Sequence, residues 1–178
     1  MLDKRLTLCA EFVRGKRVCD VGTDHAYLVA ELLSEGKCDS AVAADINEKP
    51  LASARITLEK AGVLDMAELI RSDGLKNIPE SGITDIVIAG MGGELIFKIL
   101  SECEWLKGKN LILQPMSRSE FLIKKLCENG FEILIRRTVT DGKFCYTVIN
   151  AVKNDAPSFT PSDIFLETGK LDMSEPSS

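Results

Sequence analysis

The sequence predicts the α/β class: one domain with a mostly parallel, seven-stranded sheet, helices on both faces and a late antiparallel strand. Three observations carry this. Short apolar runs alternate with helix-length amphipathic stretches, which implies right-handed βαβ units. The last two runs have no helix between them and meet around Asp141-Gly142, a hairpin signal that turns one strand antiparallel. The 178 residues, 45% hydrophobic and 28% charged, suit a single globular domain.

The elements follow in order. Asp3 caps a first helix whose apolar face is Leu2, Leu6, Cys9 and Val13, and Gly15 ends it. Arg17 to Val21 reads as a strand, followed by a helix from Ala26 to Ser34. Ala41 to Asp45 is the second strand, and its helix runs from Lys49 to Ala61, stopped by Gly62. Glu68 to Arg71 is the third strand. Asp85 to Ala89 is the fourth, with a helix from Gly93 to Ser101. Asn110 to Gln114 is the fifth, with a helix from Arg118 to Glu128 stopped by Gly130. Glu132 to Thr138 and Cys145 to Val152 close the sheet. The composition then shifts to Pro157, Pro161, Pro176 and several serines, so 1–153 is expected to be the domain and 154–178 a polar tail.

The bulk numbers exclude several classes. A formal net charge of −5 gives no global basic field, so any nucleic acid would have to meet a local basic face. The six cysteines are scattered without a Cys-x-x-Cys pair and with one histidine available, so zinc spacing is absent and no metal is expected. They read as reduced thiols of a cytoplasmic protein. No signal peptide opens the chain, and no apolar run is long enough to span a bilayer.

The chemistry gathers at strand ends, where open α/β sheets bind ligands. The first strand runs into Asp20-Val21-Gly22-Thr23-Asp24-His25. A glycine there lets backbone approach a ligand. Two carboxylates would repel a pyrophosphate, and the G-x-G-x-x-G spacing of dinucleotide binders is missing. A cofactor with a cationic head fits: S-adenosylmethionine carries an ammonium and a sulfonium. His25 is either a ligand contact or a hydrogen-bonded structural residue. Asp45, ending the second strand, could accept both ribose hydroxyls, or could cap the next helix. Asp73-Gly74, after the third strand, could hold an adenine amino group, or could simply turn the chain. Gly90-Met91-Gly92-Gly93 follows the fourth strand and bares backbone N–H groups for a flat base, where a plain turn would need fewer glycines. Gln114-Pro115 after the fifth offers a donor and an acceptor to a base edge, with a buried structural glutamine as the alternative. Arg118 lies just beyond.

With these motifs in place, the chain resembles the bacterial tRNA adenine-22 N1-methyltransferase family. The matching segments are Leu2-Asp3-Lys4-Arg5-Leu6, Asp20 through Leu28, Asp73-Gly74, Ile88 through Gly93, and Leu113-Gln114-Pro115. The resemblance implies a Rossmann-like class I methyltransferase that uses S-adenosylmethionine on tRNA. Asp20, Gly22, Thr23, Asp24 and His25 would line the cofactor's methionine end, with Gly90 and Met91 beside it. Asp45 would hold the ribose, and Asp73 with Gly74 the adenine. Gly92, Gly93, Gln114 and Pro115 would border the target base, and Arg5, Tyr27 and Arg118 would meet the substrate.

The family usually carries a further C-terminal helical domain, of which 154–178 would be a remnant. It often shows Asn where this chain has Met116. Phosphate contacts would fall to Lys4, Arg5, Arg14, Lys16 and Arg17, and to Arg118, Lys124 and Lys125, unless these are solvated faces. Rival readings are a methyltransferase for a small molecule or protein, a cofactor-binding module that needs an RNA-binding partner, and a nucleotide-dependent oxidoreductase.

Overall fold

A computed structural model describes residues 2–154 and residue 161. Most of the expected tail, 154–178, therefore lies outside the described residues. The elements are α1 (Lys4–Glu11), β1 (Arg17–Val21), α2 (Tyr27–Ser34), β2 (Ser40–Asp45), α3 (Glu48–Ala61), β3 (Ala67–Arg71), β4 (Asp85–Gly92), α4 (Gly93–Ser101), β5 (Asn110–Ser117), α5 (Ser119–Glu128), β6 (Phe131–Asp141) and β7 (Phe144–Lys153). A 3-10 turn, Leu64–Met66, leads into β3.

All seven strands form one sheet in the order β3-β2-β1-β4-β5-β7-β6. β7 runs antiparallel to both neighbours, while the pairs among β1 to β5 are parallel. The chain order reverses between β1 and β4, so the switch point lies where these two strands end side by side. The turn between β6 and β7 is Gly142-Lys143, with Gly142 at φ +60. Beyond the Leu113–Ile149 pair, the start of β7 pairs with β6 alone and carries the hairpin past the end of the β5 ladder.

Strand residues alternate between two cores. Val18, Ala41, Ala43, Val87, Ile112 and Val148 pack with α1, α2 and α3 on one face. Cys19, Val42, Ile86, Ile88, Leu111 and Leu113 pack with α4 and α5 on the other. Covering both faces explains why the central strands are continuously apolar, as parallel strands tend to be.

The sequence places most boundaries within a residue or two, and the differences have causes. β4 runs to Gly92 and β5 to Ser117, beyond Ala89 and Gln114. A bulge between Ala89 and Met91 lets pairing resume at Met91–Pro115 and Gly92–Ser117. α2 and α5 begin one residue late because Ala26 (φ 53) and Arg118 (φ 58) are left-handed, outside helical geometry. Asp3 does cap α1, accepting from the Leu6 N–H at 2.7 Å.

Opposite the switch point, the turn from α1 into β1 is tied to the fully buried Asp85. Its carboxylate accepts from the Arg14 N–H at 2.9 Å, the Gly15 N–H at 2.8 Å and Asn110 Nδ2 at 2.6 Å. A Cβ on Gly15 would collide with Thr84 and Asp85. Asp85→Ala should strand two backbone donors and cost about 2–5 kcal/mol. Urea unfolding at unchanged m-value reads this as a lower midpoint; an unshifted midpoint would show that the tie contributes nothing.

Candidate active site

β1 delivers Asp20 to the switch point, where the chain must leave the sheet and start α2 in few residues. The Gly22 and Thr23 N–H groups both donate to the Ala44 carbonyl, at 2.8 and 3.0 Å, so the loop curls over the end of β2. Thr23 Oγ1 donates to Asp20 Oδ2 at 2.7 Å. Asp24 (φ 47) and Ala26 (φ 53) then take left-handed conformations, which cost non-glycine residues on the order of 1 kcal/mol each. That strained turn swings Asp24, His25 and Tyr27 to the surface. The Tyr27 side chain is 56% exposed, and its ring stacks on His25 with centroids 5.3 Å apart.

These residues form one wall of a cleft of about 400 Å³. Asp20, Gly22, Thr23, Asp24, His25, Tyr27 and Leu28 come from β1 and the turn after it, Ala89 and Gly90 from β4, and Asp3, Arg5 and Leu6 from the start of α1. Its volume lies within the ~300–1,000 Å³ of small-molecule sites. Asp20 is only 6% exposed, and burial, eased by the Thr23 hydrogen bond and by Arg5, pushes its carboxyl up from 3.8 to about 6. Three carboxylates against one arginine make the cleft a place for a cation.

The other sequence-predicted residues are not among those that line this cleft. Asp45 ends β2 beside β1, close enough for its charge to raise Asp20 further. Its Oδ1 accepts from the Asn47 N–H at 2.8 Å, so it also shapes the turn into α3. Asp73 is half exposed and paired with Lys76 at 2.5 Å, which holds its carboxyl below the usual range. Gly74 packs against Ile99, and Ser72 closes this turn internally. Met91 lies under Gly22, where a Cβ would strike its Cε.

The glycine run divides its labour. Gly90, at φ +81, makes the bulge at the cleft wall. Gly92 stands by the Ser117 hydroxyl, and Gly93 packs against the Arg118 carbonyl oxygen, which a Cβ would strike. Gly93 thus lets α4 and α5 start in contact.

Gln114 departs most from the reading as a base-edge contact. It is fully buried, with its amide bonded inside the protein, so the structural alternative describes it. Pro115 follows it in the ladder opposite Met91. Arg118 is held by Glu94 at 3.1 Å and lies over the Phe121 ring. Other basic candidates are likewise paired: Lys16 with Asp39, Arg17 with Glu68, and Lys124 and Lys125 with Glu128. Sequence reasoning missed Leu6, Leu28 and Ala89 as cleft residues, and saw Asp3 only as a cap. Nothing local in the sequence signals that α1 docks beside the switch point.

Strand order, switch-point cleft and acidic lining together define a class I, Rossmann-like methyltransferase domain. The family model described as a methyltransferase domain matches residues 2–149. The tRNA (adenine(22)-N(1))-methyltransferase of Bacillus subtilis is 34% identical over 157 residues, covering 86% of this chain and 66% of the relative. The crystal structure of the B. subtilis M1A22 tRNA methyltransferase TrmK superposes with a TM-score of 0.82 at 31% identity, covering 87% of this chain and 68% of that one. TrmK of M. capricolum, solved with the cofactor product S-adenosyl-homocysteine, gives a TM-score of 0.82 at 29% identity, covering 95% and 76%. This chain belongs to the tRNA (adenine-22-N1)-methyltransferase family. It spans about two thirds of the length of the B. subtilis relative.

Gly93→Ala should push α5 away from the end of β4 and cost about 1–3 kcal/mol. A urea titration that leaves the midpoint unmoved would contradict the packing assigned to Gly93.

Proposed function

We propose that this chain transfers a methyl group from S-adenosylmethionine to N1 of adenine 22 in tRNA. The observation that carries this reading is the buried Asp20 carboxylate in an acidic switch-point cleft, in a chain of this family. S-adenosylmethionine supplies an electrophilic methyl group on a positively charged sulfur. The cleft residues fit such a group: Asp20 and Asp24 favour its cationic amino-acid end, and Gly22, whose missing side chain makes room for Met91, brings backbone to the cleft wall. Asp45 would take the ribose hydroxyls, and Asp73, released from Lys76, the adenine amino group.

Adenine N1 attacks through an in-plane lone pair, so no side chain has to remove a proton first. The protein's contribution is alignment, which can supply several kcal/mol as effective molarity. Carboxylates near the reacting atoms favour the cationic product electrostatically. N1 lies on the pairing edge, so the base must be unpaired or extruded before it reaches Gly90. Tyr27, stacked on His25 at the cleft mouth, offers it an aromatic face. We place the activity in the cytoplasm, where tRNA and reduced thiols coexist.

Cofactor affinity should depend on pH through Asp20. A bound cation favours the ionised carboxylate, whose population falls as pH drops through about 6. Binding of S-adenosylhomocysteine, which keeps the ammonium, should therefore weaken by roughly tenfold per pH unit below that point and level off above it. Asp20→Asn should bind weakly at every pH. Titration calorimetry showing a flat wild-type profile would remove Asp20 from the amino-acid end.

The activity itself is tested by labelled methyl transfer to an unmodified tRNA transcript, beside the same transcript with adenine 22 replaced. Label on the first alone is expected. Equal label on both would refute the target, and label on neither would refute tRNA methylation by this chain.

A further inference from the structure

Arg5 is a guanidinium held inside a cleft that otherwise selects for cations. Its side chain is 19% exposed. Nη1 donates to Gln114 Oε1 at 2.9 Å, and Nη2 donates to Asp3 Oδ2 at 3.2 Å. The guanidinium carbon lies 6.0 Å from the Tyr146 ring centroid. Its charge is therefore already matched by Asp3, and each Nη group makes one of these bonds.

The partner is as fully engaged. Gln114 Oε1 also accepts the Gly90 N–H at 3.0 Å, and Nε2 donates to the Pro115 carbonyl at 2.9 Å, with Met116 Sδ at 3.7 Å. An amide has one accepting and one donating end. Turned over, Nε2 would face the Gly90 N–H, donor against donor. Arg5 has donors only, so it adds a second donor to the same oxygen and reinforces the orientation that Gly90 and Pro115 favour. Through that oxygen, α1, the end of β5 and the bulge of β4 are joined at one atom. The bulge carries Gly90 into the cleft wall and precedes the shifted pairs at Met91 and Gly92.

We propose that Arg5 is a positioning residue that locks the Gln114 amide and thereby holds Gly90 in place against the target base. In this role its two Nη groups serve Gln114 and Asp3 rather than a tRNA phosphate. This inference rests on the proposed methyl transfer for its kinetic consequence, though not for its geometry.

Two measurements on the full chain test it. In Arg5→Ala, amide NMR should show the Gly90 backbone and Gln114 side-chain signals shifted, with Gly90 exchanging with solvent roughly tenfold faster. Unmoved signals overturn the inference, whether or not the chain methylates anything. In methyl transfer, Arg5→Ala should lower kcat by roughly 100-fold, with the KM for tRNA and its salt dependence unchanged. Arg5→Lys, which keeps a donor for Gln114, should recover part of the loss and serves in its place if Arg5→Ala does not fold. In a Gln114→Ala background, Arg5→Ala should add little. A raised KM for tRNA with a salt slope shallower by about 0.9 would mark a phosphate contact, and additive losses in the double variant would mark a general structural role; either overturns the inference. A wild-type chain that methylates no tRNA sinks the proposed function, and the amide signals then decide the case of Arg5 alone.

Discussion

Burying a carboxylate at the end of the central strand is the constraint around which this molecule is arranged. Lifting the Asp20 carboxyl from 3.8 to about 6 corresponds to on the order of 3 kcal/mol against its charge. Only a short hydrogen bond from Thr23 and the field of Arg5 offset the desolvation. A ligand cation would complete the compensation, so the cleft favours one. Two left-handed non-glycine residues, Asp24 and Ala26, start α2 abruptly after Asp20.

The helix before the first strand is the second organising feature. α1 buries Leu8, Cys9 and Ala10 on the sheet and is fastened near both of its ends. After its carboxyl end, Asp85 gathers the Arg14 and Gly15 N–H groups; at its start, Arg5 reaches Gln114. Neither tie is local, the second spanning 109 residues of sequence. A helix that looks like an N-terminal appendage is thus a wall of the site and a brace for the strand ends opposite.

The fold was legible because its signals are local and repeated. Apolar runs such as Ile86-Val87-Ile88 and Leu111-Ile112-Leu113 must be strands buried on both faces, and the glycines after α3 and α5 mark their ends. The Asp20 to Tyr27 loop was legible as the turn at the end of a buried strand, and it lines the cleft there. What escaped depends on contacts made across the fold. A left-handed Ala26 or Arg118 has no sequence mark. Gly93 and Gly90 look alike in sequence, yet one meets a carbonyl and the other forms a bulge. Gln114 stays open between a base-edge contact and a buried amide until Arg5 and Gly90 are found on its oxygen.

A crystal structure with S-adenosylhomocysteine would show whether the cleft between the ends of β1 and β4 holds the cofactor. The amino-acid end is expected against Asp20 and Gly22, with the ribose toward Asp45. A ligand seated instead in the groove of about 450 Å³ lined by Arg118, Ser119, Glu120, Phe121 and Lys124 would contradict it.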